Sequence, residues 1–254
     1  MTNSWFHRIG HPKERGFAPE RTRIYAVGDI HGRVDLLREL HDKICADAEG
    51  KQFSRKVIVY LGDYIDRGEG SKEVVDLLIA ETLADAGFES KCLLGNHERS
   101  MLDFLRDTAS GPNWVIYGGE STLLSYGVGH PRGNGMDDRW ALIQNRLRDG
   151  IPPAHLEFFE SLEPGHIEGG YLFVHAGIRP GVALEKQDLM DMIWIRDDFL
   201  NSKADHGFCV VHGHTVATEP DIQSNRIGID TGAYSSGTLT CLVLEGRARR
   251  FIQT

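Results

Sequence analysis

The sequence has no long apolar run, few cysteines and no excess of positive charge. No hydrophobic stretch approaches the roughly 18 residues of a membrane-spanning helix, so we expect a soluble protein with no membrane association. A net charge of −9 argues against passive adhesion to nucleic acid. The polar N-terminus lacks the apolar core of a secretion signal, and we therefore expect a cytoplasmic location.

The four cysteines are too few and too scattered for a disulfide framework or a CxxC zinc site. Their apolar neighbours predict reduced, packed thiols; they are Cys45, Cys92, Cys209 and Cys241. Gly 29 and Pro 9 in 254 residues fall short of low-complexity composition, which excludes a disordered or collagen-like chain.

The chain divides into a short arm and one folded region. At roughly 150 residues per domain, 254 residues allow one large domain or two small ones. Residues 1–22 have no hydrophobic periodicity and contain glycine and proline among charges, which is typical of an N-terminal arm. We therefore predict a single folded domain over residues 23–252.

The first part of the folded region alternates short apolar runs with amphipathic stretches, which predicts strands alternating with helices in an α/β protein. The pairs are 23–27 with 33–48, 57–61 with 72–86, and 91–94 with 99–107. The stretch 122–162 is predicted helical, interrupted by a surface loop over 127–135. Later strand-like runs predict a second, more antiparallel sheet packed on the first; they are 171–174, 209–211, 226–229, 238–244 and 248–252.

Polar side chains follow directly on five of the predicted strands. Each block combines an acid, amide or histidine with glycine, which lets the backbone turn sharply. The blocks are GDIHG at 28–32, GDYIDRG at 62–68, GNHE at 95–98, HAG at 175–177 and HGHT at 212–215. Because ligands of open α/β sheets bind beyond the carboxyl ends of the strands, we expect the blocks to converge on one site.

Six side chains from these blocks suit divalent metal ions. Carboxylate, imidazole and amide donors without cysteine favour Mn, with Fe or Zn as alternatives, over ions that prefer all-oxygen shells. Six donors are too many for one ion, but a bridging Asp63 would divide them between two ions about 3.5 to 4 Å apart. The six are Asp29, His31, Asp63, Asn96, His175 and His214.

A bland interpretation competes for each donor taken singly. One histidine or aspartate at a strand end is ordinarily a capped turn or a hydrogen-bonded core group. Five glycine-flanked blocks at successive strand ends have no such explanation, and together they indicate a dinuclear metal site.

In order and spacing, the five blocks resemble the signature of the phosphoprotein phosphatase family of metallophosphoesterases. They are most similar to its bacterial branch, near the lambda-phage phosphatase and the diadenosine tetraphosphate hydrolases. The resemblance covers most of residues 23–252 and implies an α/β fold, an αββα sandwich of two packed mixed sheets with flanking helices. Two departures, Tyr117 in place of Asn and Val216 in place of Pro, affect no predicted ligand.

The resemblance also implies how the metal ligands divide. It assigns Asp29, His31 and Asp63 to one ion, and Asp63, Asn96, His175 and His214 to the other. Residues 23–252 would then form the catalytic domain of a metallophosphoesterase.

Chemical need suggests roles for other residues of the blocks. Water activated between two divalent ions can attack phosphorus directly, so no covalent nucleophile is required. A phosphoserine expels a basic alkoxide that must be protonated, and His97 is the candidate general acid. Asp66 would orient His97, as the family pairs these two motif positions.

Two arginines are candidates for binding the phosphate. Arg67 and Arg196 would grip its non-bridging oxygens, and Asn96 would also contact it. For Arg196, a surface ion pair with Asp197 or Asp198 is the competing interpretation.

We therefore predict a metal-dependent serine/threonine protein phosphatase that hydrolyses phosphomonoesters by direct attack of a metal-bridging hydroxide. The alternative is a symmetrical bis(5'-nucleosyl)-tetraphosphate hydrolase, which would use the same site. The block GNHE, rather than GNHD, and the complete Asp66-Arg67 pair favour the phosphatase by resemblance. The third interpretation, a non-catalytic phospho-ligand binding scaffold, is disfavoured because every ligand position is occupied by a suitable residue. The expected partner is a phosphorylated protein or a small phosphate ester, and the oligomeric state stays open.

Several other polar residues are given ordinary roles. Glu98 is expected to cap the following helix, and His212 to lie beside the metals rather than on them. The histidines outside the blocks are expected to be solvated; they are His7, His11, His41, His130, His155, His166 and His206.

Overall fold

The computed structural model describes residues 14–50, 53–80, 83–129 and 136–254. The strands are β1 (Thr22–Val27), β2 (Arg55–Tyr60), β3 (Phe88–Cys92), β4 (Gly165–Glu168), β5 (Tyr171–Val174), β6 (Cys209–His212), β7 (Asp221–Ile222), β8 (Arg226–Gly228), β9 (Thr240–Glu245) and β10 (Ala248–Gln253). The α-helices are α1 (Val34–Ala48), α2 (Ser71–Ile79), α3 (Asn96–Arg106), α4 (Gly111–Trp114), α5 (Glu120–Ser125), α6 (Met136–Gly150), α7 (Pro153–Ser161), α8 (Leu189–Trp194), α9 (Asp197–Leu200) and α10 (Ala233–Ser236).

Two five-stranded mixed sheets form the centre of the molecule. The first has the order β10-β9-β1-β2-β3, in which β1, β2 and β3 are parallel and β9 is antiparallel to β1. The second has the order β4-β5-β6-β8-β7, with parallel pairing at β5-β6 and β6-β8 and antiparallel pairing at both edges.

The alternation of side chains along the strands explains why the sheets form layers. In β1, Ile24 and Ala26 face the second sheet, while Tyr25 and Val27 belong to the core under the helices. The far face of the second sheet packs against α8 and α9 through residues such as Val174. The predicted αββα sandwich of two mixed sheets is confirmed, and it places the carboxyl ends of β1, β2, β5 and β6 at one edge.

One part of the sheet prediction is wrong. The runs 238–244 and 248–252 were expected in the second sheet, yet β9 and β10 form a hairpin on the first sheet beside β1. Cys241 and Val243 pack under the helices while Leu242 and Leu244 pack between the sheets, so β9 is apolar on both faces. The structure also adds the short edge strands β4 and β7, which the sequence did not predict.

The described end of the predicted N-terminal arm packs against the folded region. The Gly16 N–H donates to the Gly170 carbonyl at 2.9 Å, and the Ala18 N–H donates to the Gly246 carbonyl at 2.9 Å. Residues 1–13 of the arm and residues 130–135 of the predicted surface loop lie outside the described residues.

Two histidines expected in solvent are buried instead. His41 lies within hydrogen-bonding distance of the Tyr60 hydroxyl, and His155 bonds with Tyr126 and Asp76. Each has a partner distant in sequence that no local pattern shows. Of the helices in the described part of the chain, none is long and apolar enough to cross a membrane.

Candidate metal centre and active site

The residues of the five blocks meet at one edge of the two sheets, on an unusual backbone. Within the described residues, the non-glycine positions with left-handed φ are Arg21 and five members of the blocks. Those five are His31 (φ 45°), Asp63 (φ 52°), Asp66 (φ 72°), Arg67 (φ 68°) and His214 (φ 63°). Glycine would relieve the strain at each position but would remove the functional side chain. The concentration of backbone strain at this edge of the sheets indicates a functional site.

Asp63 lies at the centre of the arrangement. Its Oδ2 is 3.5 Å from Nε2 of His31 and 3.4 Å from Nε2 of His175. Two donor atoms that bind the same ion, each about 2.1 Å from it, lie about 3.0 to 3.4 Å apart. The distances from Asp63 therefore suit one ion between Asp63 and His31 and another between Asp63 and His175. Two clusters of three donors share Asp63, one with His31 and His97 and the other with His175 and His214.

Backbone carbonyls fix the orientation of two of the histidines. His31 Nδ1–H donates to the Ile65 carbonyl at 2.9 Å, and His175 Nδ1–H donates to the Leu61 carbonyl at 2.9 Å. Both rings therefore direct the Nε2 lone pair at Asp63, which is the usual way in which proteins prepare a histidine for metal binding.

The other predicted ligands lie on the rims of the two clusters. Asn96 Oδ1 is 2.9 Å from His175 Nε2, next to the second cluster. Asp29 is held by the backbone N–H of His214, at 3.0 Å from its Oδ2, and its pKa responds to the charge of Asp63. His214 Nε2 is buried and has no hydrogen-bond partner among the described residues. A buried imidazole nitrogen without a partner is costly unless a ligand occupies it.

The charges of the centre also suit bound cations. Asp29, Asp63 and Asp230 are all buried, and burial together with the other two carboxylates raises the pKa of Asp29 well above its ordinary value. The Arg67 guanidinium donates to Nε2 of His31 at 3.0 Å and to Nε2 of His97 at 3.2 Å. The positive guanidinium of Arg67 therefore already lies between the Nε2 atoms of His31 and His97. The donor types, the distances between them and the negative charge of the centre all fit divalent metal ions.

His97 and Asp66 form a closely held pair. His97 Nδ1–H donates to Asp66 Oδ2 at 2.6 Å, and the Trp114 indole donates to the same oxygen at 2.8 Å. Thr122 donates to Asp66 Oδ1 at 2.5 Å. Burial lowers the pKa of His97, but the Asp63 carboxylate and the Asp66 hydrogen bond outweigh it and leave the pKa above its ordinary value.

The two predicted phosphate-binding arginines border different halves of the centre. Arg67 contacts His31 and His97, whereas Arg196 lies 3.4 Å from the Thr215 hydroxyl, directly after His214. Among the described residues no carboxylate forms an ion pair with Arg196.

Neither of the two carboxylates that competed for Arg196 pairs with it among the described residues. Asp198 pairs with Arg179 at 3.0 Å. The side chain of Arg196 is exposed and is available to a ligand at the second cluster.

Glu98 does more than the predicted helix cap. It is fully buried and accepts hydrogen bonds from the backbone N–H groups of Gly95 and Asp63 at 3.0 Å each, and of Tyr64 at 2.8 Å. Burial and the Asp63 charge raise the pKa of Glu98 to about 8. This one carboxyl group ties the start of α3, which carries Asn96, to the turn that carries Asp63.

Sequence reasoning missed two further residues at the centre. Asp230 is buried beside Asp29, and burial and Asp63 raise its pKa to about 6 despite the Gly232 N–H that it accepts at 2.9 Å. It lies just after β8 and midway between Gly228 and Gly232, which is a looser form of the pattern in the recognised blocks. Tyr234 stacks on Arg67, with 4.7 Å between the guanidinium carbon and the ring centroid, and no pattern predicted this contact.

His212 is placed as expected, beside the centre. Its Nδ1 lies 3.1 Å from the Gly213 carbonyl, and its Nε2 lies 3.3 Å from an Arg226 nitrogen. The two departures from the family pattern, Tyr117 and Val216, are both exposed. Tyr117 packs edge-on against Trp194 at 6.3 Å between ring centroids, at the rim of the second cluster.

Comparisons with known proteins identify the family of the chain and list relatives with two different activities. A family model described as calcineurin-like phosphoesterase matches residues 22–234. The chain is 29% identical over 162 residues to a symmetrical bis(5'-nucleosyl)-tetraphosphatase of Aromatoleum aromaticum, a match that spans 64% of this chain and 46% of that protein. It is 26% identical over 231 residues to serine/threonine-protein phosphatase 2 of Salmonella typhimurium, spanning 85% of this chain and 90% of the relative.

Solved structures share the fold at lower sequence identity. A protein serine/threonine phosphatase from Saccharomyces cerevisiae superimposes with a TM-score of 0.57 at 16% identity, over 92% of this chain and 79% of that one. A cold-active protein-tyrosine phosphatase of a Shewanella species gives 0.57 at 18% identity, over 94% and 84%. At these identities the likeness establishes the fold alone.

Proposed function

Since the chain belongs to the calcineurin-like phosphoesterase family, we propose that it is a metal-dependent phosphatase of phosphoserine and phosphothreonine in proteins. Phosphoester hydrolysis follows from the family. The protein substrate, manganese as the metal and a cytoplasmic location are the finer parts of the proposal. The observation that supports a protein substrate is the buried pair of His97 and Asp66. The carboxylate oxygens of Asp66 also accept hydrogen bonds from Trp114 and Thr122.

The metal ligands in this proposal are the six side chains predicted from the sequence. Asp63 would be shared, with Asp29 and His31 on one side and the remaining ligands, Asn96, His175 and His214, on the other. When bound, two divalent ions supply Lewis acidity to a phosphoryl oxygen and lower the pKa of water. The mixed nitrogen and oxygen donors favour manganese over magnesium.

His97 is proposed to protonate the leaving group. An alkoxide from serine or threonine is a strong base, so its departure needs a proton donor held in place. Asp66 accepts from His97 Nδ1 at 2.6 Å and thereby leaves Nε2 facing the centre. Thr122 and Trp114 saturate the Asp66 oxygens, so the carboxylate cannot rotate away from His97. A phosphoanhydride expels a weaker base and would need this pair less.

Arg67 and Arg196 are proposed to bind the non-bridging oxygens of the phosphoryl group, with Asn96 as a further contact. Each arginine borders one of the two clusters, so together they can hold one group from two sides. Arg67 would exchange its contacts with the histidine nitrogens for contacts with phosphate oxygens.

The second candidate is a symmetrical bis(5'-nucleosyl)-tetraphosphate hydrolase, and relatives of that name support it. An asymmetrical bis(5'-nucleosyl)-tetraphosphatase of Oceanobacillus iheyensis is 25% identical over 243 residues, covering 87% of that relative. The same centre can cleave a phosphoanhydride. The two candidates differ in their need for His97 and in the surface around the centre.

One assay separates the candidates directly. Purified, manganese-loaded protein is compared on a phosphoserine peptide and on diadenosine tetraphosphate under identical conditions. The proposal expects a higher kcat/KM for the peptide. A kcat/KM for diadenosine tetraphosphate well above that of every phosphopeptide tested would contradict the protein substrate and leave the metal chemistry intact.

A further inference from the structure

Two surface grooves border the centre, each through an arginine proposed to bind the phosphoryl group. The first, of about 730 Å³, is bordered by Arg67, Glu69, Glu73 and Tyr234 and is called here the Tyr234 groove. The second, of about 530 Å³, is called the Trp194 groove; it is lined by Arg179, Asp191, Trp194, Arg196, Asp197 and Asp198. Apart from Arg67 and Arg196, the residues that line these grooves have no role in the proposed function.

The grooves leave from different halves of the centre. The Tyr234 ring lies edge-on to His31, with 5.5 Å between the ring centroids, in the first cluster. The Trp194 ring lies edge-on to His214 at 5.9 Å, in the second cluster. Because the clusters share Asp63, a phosphoryl group at the centre would have one groove on each side. A substrate that extends in both directions from its phosphate suits this layout.

Each groove contains an arginine proposed to bind phosphate and an accessible aromatic ring. Arg67 lies over Tyr234, which is 39% exposed, and Arg196 lies two residues after Trp194. Tyr117 packs against Trp194 and is 55% exposed, so the second ring is part of a larger aromatic surface. Such surfaces bind the aliphatic stems and charged heads of lysine and arginine side chains, as well as flat rings.

The charge of the Tyr234 groove favours lysine and arginine side chains over uncharged flat rings. Apart from Arg67, the groove is lined by three acidic side chains and one basic side chain. The acidic ones are Asp35, Glu69 and Glu73, and the basic one is Arg33. Arg33 pairs with Asp35 at 2.6 Å, while Glu69 and Glu73 form no ion pair within the described residues. Two exposed carboxylates are therefore left for a ligand.

The Trp194 groove has the same balance. Besides Arg196, it sets Asp191, Asp197 and Asp198 against Arg179, which pairs with Asp198 at 3.0 Å and also with Asp191. Asp197 has no ion pair among the residues that the structure describes. Both grooves are thus acidic immediately beyond the arginine that would hold the phosphoryl group.

We propose that the two grooves bind the residues on either side of a phosphoserine or phosphothreonine and select lysine or arginine there. This inference rests on the proposed protein phosphatase function and names its preferred substrates. Basic side chains would lie against the aromatic rings and meet the free carboxylates. The additional phosphates of a dinucleoside tetraphosphate would instead run into an excess of negative charge on both sides.

The test uses three phosphoserine peptides that differ only in the residues flanking the phosphoserine: arginine, alanine or glutamate. With the manganese-loaded wild-type protein, kcat/KM should fall in that order. Because exposed charge pairs are screened by salt, the difference between the arginine and glutamate peptides should shrink from low to high potassium chloride.

Charge-removing variants assign the preference to the grooves. Glu69→Gln with Glu73→Gln should lower kcat/KM for the arginine peptide about 3- to 10-fold and raise it for the glutamate peptide. Asp197→Asn should act in the same sense through the second groove, with a smaller effect. The matched control, Glu157→Gln with Glu160→Gln on α7, removes the same charge at two exposed residues that line neither groove and should leave the order of the peptides unchanged.

The outcomes separate this inference from the proposed function. Equal turnover of the three peptides, or a preference that the α7 control abolishes as well, would overturn the inference and leave the phosphatase in place. No turnover of any peptide, together with diadenosine tetraphosphate hydrolysis that falls in Tyr234→Ala or Trp194→Ala, would overturn both and assign the grooves to nucleobases.

Discussion

Two groups of residues in this molecule pair a buried histidine with a carboxylate, and the two are built in opposite ways. In the helical layer, the Tyr126 hydroxyl donates to His155 Nδ1 at 2.8 Å, and His155 Nε2–H donates to Asp76 at 2.8 Å. These residues lie on or next to α2, α5 and α7, and both ring nitrogens have partners. At the metal centre, His214 Nε2 is buried without a partner on left-handed backbone.

The difference shows which features mark a functional site. A buried histidine and a short contact between histidine and carboxylate occur in both groups, so neither feature identifies a catalytic site. Within the part of the chain described, Arg23 and His166 also have a buried nitrogen without a hydrogen-bond partner, but only His214 combines such a nitrogen with its own left-handed backbone. The helical group is therefore interpreted as structural. Four experiments test this contrast.

The largest effect is expected from Asp63→Asn. A neutral amide cannot balance two dications, so kcat/KM should fall to background, and manganese should no longer raise the Tm as ligand binding does in the wild type. Activity assays and thermal unfolding with and without manganese check this result. Asp76→Asn, in the helical group, is the control and should keep both responses. Full turnover by exhaustively metal-stripped wild-type protein would contradict a metal centre at Asp63.

His97→Asn should give the next largest effect, and one that depends on the substrate. Loss of a general acid costs about 10²- to 10⁴-fold, so hydrolysis of a phosphoserine peptide should slow by this much. An aryl phosphate with a good leaving group should be affected far less, and Asp66→Asn should show the same selectivity in milder form. Steady-state kinetics on both substrates measure the ratio. Equal losses would make His97 an electrostatic stabiliser.

Removing one of the two arginines proposed to bind phosphate should weaken inhibitor binding without changing the metal content. Arg67→Ala and Arg196→Ala should each weaken inhibition by phosphate or vanadate by about 1.5 to 3 kcal/mol, the value of a charge-assisted hydrogen bond. Inhibition constants and metal content per chain are measured for both variants. Unchanged phosphate inhibition in Arg196→Ala would mean that Arg196 does not bind the phosphoryl group.

The smallest effect on catalysis is expected in the helical group. Tyr126→Phe leaves a buried ring nitrogen of His155 without its partner, which should lower the free energy of unfolding by about 1 to 3 kcal/mol. The value of kcat/KM should stay near that of the wild type. Urea unfolding and the peptide assay measure the two quantities. If activity fell while stability held, the helical group would act on the centre through α5, which carries Thr122, and the contrast would fail.

The blocks that form the centre could be read from the sequence because they are local. A short apolar run followed by glycine and an acid or histidine specifies a strand and a sharp turn within a few residues, and topology brings the carboxyl ends of such strands together. The pattern therefore predicted an α/β protein with two packed sheets, the family resemblance implied the αββα sandwich, and the centre contains the donors that were proposed as ligands. Asp230 also follows a short apolar strand, but Ile229 and Thr231 separate it from the flanking glycines, so it does not match the pattern of the five blocks.

Other features depended on contacts between distant segments. His155 meets Asp76 across 79 positions of sequence, and Asp66 meets Thr122 across 56, so no local pattern shows that these groups are satisfied. The expected solvation of His155 was wrong for this reason. The β9–β10 hairpin was predicted in the wrong sheet, because an apolar strand fits the middle of either sheet.

The sequence by itself determined which chemical groups this protein brings to its active edge, since residue identity and turn geometry are encoded within single blocks. The tertiary structure decided what surrounds them. It placed Glu98 across the Asp63 turn, Tyr234 and Trp194 on opposite halves of the centre, and acidic grooves beyond both arginines. Such environments arise from packing between elements far apart in the chain, where many sequences give similar local patterns and only the folded arrangement fixes the distances.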